Sequence, residues 1–121
     1  MSKYKEEIFD AYNEIKEAGF PINIIAAGSF NEATETYVDG PEFSTYAVKI
    51  DSEEEFRFEA ISAEDLILII PGYKIPFALD NNCKIENDIT KTTRSVYRVK
   101  SISPEDNAVI VYIVLLKAKT S

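Results

Sequence analysis

The sequence predicts an α+β protein in which an N-terminal helix packs on a small antiparallel β-barrel or curled sheet of about six strands. Three observations predict it: a helical apolar period near the N-terminus, short β-branched runs separated by turn residues after Pro21, and two long final runs joined by a turn. A length of 121 residues is that of one domain. We therefore expect a single domain, with the helix over residues 1–19 and a barrel-like body over residues 20–121.

The segment 3–18 has the periodicity of an amphipathic helix. Apolar residues recur every three or four positions along one predicted face, namely Tyr4, Ile8, Ala11, Tyr12 and Ile15. Gly19 suits the position just after a helix, and Pro21 prevents the helix from continuing. The pattern predicts a helix that ends at Ala18.

Strand signals begin after Pro21. The runs Asn23–Ala27 and Thr34–Val38 flank a turn-rich loop at 28–33, which predicts a β-hairpin. The next strand is predicted over Phe43–Ile50. Of its two alternating sets of side chains, we expect the set with the larger side chains to face inward, namely Ser44, Tyr46, Val48 and Ile50.

The segment 51–65 is the most acidic part of the chain. Its seven acids are Asp51, Glu53, Glu54, Glu55, Glu59, Glu64 and Asp65. Phe56 and Phe58 predict a short strand within it, and residues 62–65 predict a tight turn or a single helical turn. The acids lack the spacing and the glycine of an EF-hand, so a solvated charged loop is favoured over a metal site.

The second half of the chain predicts one buried strand and a final hairpin. Leu66–Ile70 has no polar face, so both of its sides must be covered. Residues 73–87 contain proline and turn residues and are predicted to be irregular. A final pair of antiparallel strands, joined by a turn at 103–107, is predicted over Arg94–Ile102 and Ala108–Lys117.

The composition argues against an enzyme. There is no His, which removes the usual general base and the commonest metal ligand, and the single Cys cannot form a disulfide or a Cys-rich metal site within one chain. The 4 glycines form no phosphate-binding loop, and no Ser lies in a nucleophile-elbow pattern. Cys83 is predicted to be a small, partly buried hydrophobic residue. We therefore predict no catalytic residue, no cofactor and no bound metal.

Charge and hydropathy predict a soluble intracellular protein. The apolar runs, among them residues 66–71, are too short to cross a bilayer, and the N-terminus carries acids where a signal peptide needs an apolar stretch. The 13 Lys and Arg residues against 21 Asp and Glu residues give a net charge of −8. Such a surface repels phosphate backbones, which argues against non-specific nucleic-acid binding.

Two features suggest protein–protein assembly. The last strand is apolar on both faces, so it lies either at an interface or at the centre of the barrel under the helix. Arg94, Arg98 and Lys100 alternate along one predicted side of their strand, while acids concentrate at 51–65. Basic and acidic faces on one subunit suit head-to-tail ring packing, although a solvated strand face explains the same pattern.

The order of the elements carries a family resemblance. The helix ends in Gly-Phe-Pro (19–21), and the loop Gly-Ser-Phe-Asn-Glu-Ala-Thr-Glu-Thr (28–36) follows the first strand. Later come a Tyr-Arg-Val strand (97–99), a Ser-Pro turn (103–104) and a terminal apolar strand (109–116). Across nearly its whole length, the chain resembles the small head–tail connector proteins of long-tailed bacteriophages and prophage elements, of the head-closure or stopper type.

This resemblance implies a structural protein of the virion neck. Copies would assemble as a ring on the portal or adaptor proteins, close the DNA-filled head, and provide the surface where tail proteins dock. DNA would be only the cargo of the channel, no membrane would be involved, and assembly would take place in the cytoplasm of the bacterial host. The resemblance suggests that Glu53, Glu54 and Glu55 line the channel, where like charge keeps DNA off the wall.

A docking loop for the partner is suggested at residues 73–77. Tyr73, Lys74, Pro76 and Phe77 are the candidates, because exposed aromatic residues beside proline often anchor interfaces. Two alternatives to the stopper function stay open. One is a tail-completion or tail-terminator protein, and the other is a stand-alone β-barrel module that binds a peptide or a small ligand.

Overall fold

One helix and eight strands make up the part of the chain that the computed structural model describes, residues 4–38, 40–51, 65–104 and 108–117. The helix α1 spans Lys5–Ala18. The strands are β1 Phe20–Ile25, β2 Ser29–Asn31, β3 Thr36–Val38, β4 Glu42–Ile50, β5 Leu66–Pro71, β6 Lys84–Asn87, β7 Thr93–Ile102 and β8 Val111–Leu116. The short strand predicted around Phe56 and Phe58 and the turn predicted at 62–65 lie outside the described residues, apart from Asp65.

Six of the strands form a closed barrel in the order β1-β4-β5-β8-β7-β6, and β6 pairs with β1 to complete it. Each neighbouring pair is antiparallel. The helix packs on the outside of the barrel against β4 and β5. The predicted fold class, an N-terminal helix on a small antiparallel barrel, is confirmed.

The barrel interior is filled by aliphatic side chains from every strand of the wall except β4, which contributes small residues. The buried interior residues include Ile22, Ile24, Leu68, Ile70, Ile85, Val96, Val114 and Leu116. Residues on the other face of β5 and β8 form a second buried cluster of Ile67, Ile113 and Leu115, with Ile50 and Ile69 at its edge. Both faces of β5 and β8 are therefore covered, as their unbroken apolar sequence predicts.

Strand β4 faces the interior with the opposite side from the one predicted. Thr45 and Ala47 are buried and lie opposite Ile22 and Phe20 of β1. Tyr46 lies on the outer side, where its ring is 6.1 Å from the ring of Tyr12 on the helix. The prediction was wrong because it assigned the larger side chains to the interior, whereas here the helix provides a second apolar surface outside the barrel.

The predicted hairpin between the first two strand runs is also wrong. Strand β1 pairs with β4 from Phe20↔Ala47 to Ile25↔Glu42, a longer register than the short run Thr36–Val38 can offer. The turn-rich loop instead forms its own two-stranded ribbon of β2 and β3.

Strand β6 lies within the segment that was predicted to be irregular. It pairs with β1 on one side and β7 on the other, so it closes the barrel. Only Ile85 of its four residues is buried in the core. Because Lys84, Glu86 and Asn87 are polar, the strand has no apolar periodicity by which it could be predicted.

Gly19 joins the helix to the barrel at a very close approach. Its N–H donates to the Ile15 carbonyl oxygen at 2.8 Å and so ends the helix. A Cβ atom at this position would lie 2.0 Å from the Ala47 carbonyl oxygen of β4. The backbone of Gly19 is extended, so glycine is required here by contact distance and not by a left-handed conformation.

Replacing Gly19 by alanine is expected to destabilise the protein. The new methyl group must push the helix end away from β4, an overpacking effect of about 2–3 kcal/mol. Urea unfolding of Gly19→Ala followed by circular dichroism measures the loss, with the exposed neighbour change Ala18→Ser as the control. A loss no larger than that of the control would show that the helix end and β4 separate at little cost.

Replacing Thr45 by valine is expected to stabilise the protein. The Thr45 hydroxyl is buried and has no hydrogen-bond partner among the described residues. Valine has the same shape without the polar atom, so the free energy of unfolding should rise by about 1 kcal/mol. The same change at Thr93, a partly exposed strand residue, is the control and should give no gain. A loss at position 45 would indicate that the hydroxyl has a partner in solution.

Candidate interaction surfaces

The ribbon of β2 and β3, which we call the arm, projects from one end of the barrel between β1 and β4. Its turn is held locally: the Asn31 side-chain oxygen accepts from the Ala33 N–H at 2.9 Å, and the Thr34 and Thr36 hydroxyls are 2.6 Å apart. Such Asx-type contacts shape a turn without help from the rest of the fold. The arm is therefore built from its own short-range hydrogen bonds.

The arm exposes apolar side chains. Phe30 is 58% exposed and Val38 is 54% exposed. Within the described chain, β2 and β3 pair only with each other, so the outer edge of each strand is open. An open strand edge beside apolar side chains can add a strand from another chain.

Each strand of the barrel wall has a neighbour on both sides in the closed order. Some of these pairings are short: β5 pairs with only the last three residues of β4, and β6 with only the first three of β7. Among the described residues, the wall therefore keeps short unpaired stretches, whereas each strand of the arm is unpaired along one whole edge.

The three predicted basic residues of β7 do not share one face. Arg94 lies opposite Ile85 and so points toward the barrel interior, whereas Arg98 and Lys100 lie opposite Leu115 and Ile113 of the outer cluster. The register shifts between Val96 and Arg98, which is a β-bulge. The prediction of a single basic side was wrong because an extra residue in a strand moves every later side chain to the other face.

Tyr97 lies at this bulge between two cations. The Arg98 guanidinium is 4.4 Å and the Lys117 ammonium 4.9 Å from the centre of its ring. The Lys117 Nζ also lies 3.2 Å from an oxygen of Asp65, whose side chain is only 2% exposed. These contacts fasten the end of β8 to the start of β5 and to β7, a structural role that the sequence pattern did not reveal.

Most of the predicted docking loop packs against the rest of the protein. The Tyr73 ring lies 5.2 Å from Phe9 and 4.9 Å from Tyr12, and so packs on the helix. Phe77 is half-buried against the barrel core. Lys74 is exposed, with its Nζ 5.2 Å above the Tyr73 ring. The expected exposure of the two aromatic residues was wrong, because Tyr73 packs on the helix and Phe77 packs on the barrel core.

Most of the acidic segment 51–65 lies outside the described residues. Glu53, Glu54 and Glu55 lie outside the described residues, so their predicted channel role stays a prediction. The residues that the structure describes contain no group of three or more acids or Cys that could hold a metal ion. Within the same ranges, no helix is long and apolar enough to span a bilayer.

Cys83 is part of the barrel core. It is 2% exposed, and its Sγ lies 3.8 Å from the Ala78 carbonyl oxygen and 3.7 Å from an Asp80 carboxylate oxygen. Burial raises the pKa of the thiol above its ordinary value, and the nearby Asp80 charge raises it further. The thiol is thus kept protonated and unreactive, which agrees with the predicted packing role.

Comparison with known proteins gives no relative: no family model, no curated protein and no solved structure matches this chain.

The raised pKa of Cys83 predicts how stability depends on pH. The native thiol holds its proton at pH values where the unfolded thiol, with a pKa of about 8.5, has lost it. The free energy of unfolding should therefore fall as pH rises above that value. Urea unfolding between pH 7 and 9.5 should show a smaller fall for Cys83→Ala than for the wild type. Parallel curves for the two proteins would contradict the burial of the thiol, and a constant offset reports only the lost packing.

Proposed function

We propose that this protein is a structural component of the head–tail connector of a long-tailed bacteriophage or prophage, of the head-closure type, and that it acts by ring assembly and not by catalysis. The sequence resemblance supplies the identity of the assembly. The observation that carries the proposal is the arm, a two-stranded ribbon whose strands pair only with each other within the described residues and which exposes Phe30 and Val38.

The arm suits ring assembly because a ring needs two different patches on each subunit. One subunit would extend its arm, and the neighbour or the portal side would receive it. Main-chain hydrogen bonds along β2 or β3 would set the register, and Phe30 would supply the apolar anchor. The part of the loop that carries the resemblance, Gly-Ser-Phe-Asn-Glu-Ala-Thr-Glu-Thr, is the same segment that forms the arm.

The charge of the chain is compatible with a channel for DNA. A net charge of −8 repels phosphates at long range, so DNA would pass without adhering to the wall. Glu53, Glu54 and Glu55 are the residues that we propose for the channel lining.

The partners that we propose are the portal or adaptor proteins on one side and tail proteins on the other. The cytoplasm of the bacterial host would be the site of assembly, and the virion neck the final location. A tail-completion or tail-terminator protein would use the same arm but bind the tail tube. A stand-alone binding module would bind neither particle.

Replacing Phe30 by aspartate is expected to abolish assembly while leaving the barrel folded. The change replaces an exposed apolar side chain of the arm with a charge, so co-sedimentation with tail-less heads of the parent phage should fall at least tenfold. The matched control is Ile89→Asp, because Ile89 is 68% exposed in the β6–β7 turn at the other end of the barrel. Light scattering gives the oligomeric state of each free protein, and circular dichroism checks its fold.

Three outcomes of this experiment separate the alternatives. Binding to heads that requires Phe30 but not Ile89 supports the head-closure proposal. Binding to isolated tails alone would replace it by the tail-completion function. A wild-type protein that binds neither particle would overturn the connector proposal and leave the stand-alone module.

A further inference from the structure

Strand β7 runs past the end of its neighbour β6, at the end of the barrel that carries the arm. β6 pairs with Thr93–Ser95, the first three residues of β7, and the Val96 N–H then donates to the Cys83 carbonyl oxygen at 3.1 Å. The arm lies at this same end, because Ile25 at the end of β1 pairs with Lys84 at the start of β6. Among the described residues, no strand pairs with β7 on this side beyond Val96.

A groove of about 390 Å³ lies beside this part of β7. Residues 79–81, which precede β6, form one bank, and Val99 and Ser101 of β7 form the other. Tyr112 of β8 lies opposite Ser101 in the strand register and also lines the groove. The groove is open to solvent, because Asn81 and Ser101 are exposed and Val99 and Tyr112 are only half-buried. Its volume lies in the range of roughly 300–1,000 Å³ that is typical of ligand-binding clefts.

The arm is the element of this chain that can supply a strand to such a groove. A strand edge recognises another strand through main-chain N–H and C=O groups, and side-chain pockets add specificity. Within the described chain, β2 and β3 pair only with each other, so in one copy the arm does not reach β7. Strand β2 also exposes Phe30, an apolar side chain that would meet the half-buried surfaces of Val99 and Tyr112.

The arm and this part of β7 also differ in charge. The arm carries Glu32 and Glu35, and residues 17–48 around it contain no Lys or Arg. Residues 95–103 contain no acid, and their charged side chains are Arg98 and Lys100. Charge complementarity of this kind speeds and orients an encounter, whereas main-chain hydrogen bonds and apolar contacts hold the strands together.

We propose that the arm of one copy adds as a strand to residues 97–102 of β7 in a second copy, with Phe30 seated in the groove against Val99 and Tyr112. The contact joins two different patches, so it repeats from subunit to subunit as a ring requires. This inference rests on the ring assembly proposed above, and it names the surface of the neighbouring subunit that receives the arm.

Disulfide trapping between full-length chains tests the contact. Ser29→Cys lies next to Phe30 in β2, so its side chain is on the face opposite to that of Phe30. It should form a disulfide with Cys at an exposed position on the matching face of β7, in the series Arg98→Cys, Lys100→Cys and Ile102→Cys. The yield should be at least tenfold higher than with Ser101→Cys on the other face. Lys49→Cys, exposed at the far end of β4, is the control for random collision. Native Cys83 stays in place, because it is 2% exposed.

A groove-filling variant tests the same contact without changing β7 or the arm. Asn81→Trp places a large ring in the groove at an exposed position, so it should lower the disulfide yield at least tenfold. Asn82→Trp is the matched control, because Asn82 is the exposed neighbour that does not line the groove. Circular dichroism checks that both variants fold.

The trapping is carried out on the free protein at about 1 mM, which detects a contact of millimolar affinity, and on chains bound to tail-less heads. Yields no higher than with Lys49→Cys in both settings would overturn the inference. If such chains still bound heads through Phe30, the connector proposal would stand and the arm would bind a head protein instead of a second copy. Trapping without any binding to heads or tails would support the inference and overturn the connector proposal. Equal yields at Ser101→Cys and at the best position of the matching face would exclude strand pairing.

Discussion

The pairing of β6 with β1 is the constraint on which the rest of this structure depends. Strand β6 is short and mostly polar, yet it bonds to a neighbour on each side and turns a curved sheet into a closed barrel. Closure gives each of the six strands a hydrogen-bonded neighbour on both sides. It also divides the surface of every strand into an inside and an outside, and so determines what each side chain can contact.

The small interior forces the chain to use both sides of its wall for burial. On β4, Thr45 and Ala47 face the crowded interior, while Tyr46 meets the helix outside. On β5 and β8, aliphatic side chains fill the interior and also form the outer cluster around Leu115. Helix α1 and the outer cluster therefore add buried apolar surface to that of the interior.

The sequence predicted those elements whose signal is local. The helix period, the unbroken apolar run of β5 and the final hairpin needed no knowledge of partners, and the structure has all three. The faces of β4 and β7 were wrong because each depends on a non-local fact, the position of the helix for Tyr46 and the bulge for Arg98. For the same reason the exposure of Phe77 was overestimated, and the Asp65–Lys117 pair was not predicted, since it brings together residues far apart in the chain.

The topology places different chemistry at the two ends of the barrel. The connection between β1 and β4 leaves one end and forms the arm, whose strands pair only with each other within the described residues. At the other end the strands β1, β5 and β7 begin, and the residues before the bulge turn Arg94 inward. The bulge therefore determines which face carries each cation. Without it, Arg94 and Arg98 would share a face: either the barrel end would lose Arg94 or the outer face of β7 would lose Arg98. A single extra residue in β7 thus turns Arg94 toward the barrel end and Arg98 toward the outer face.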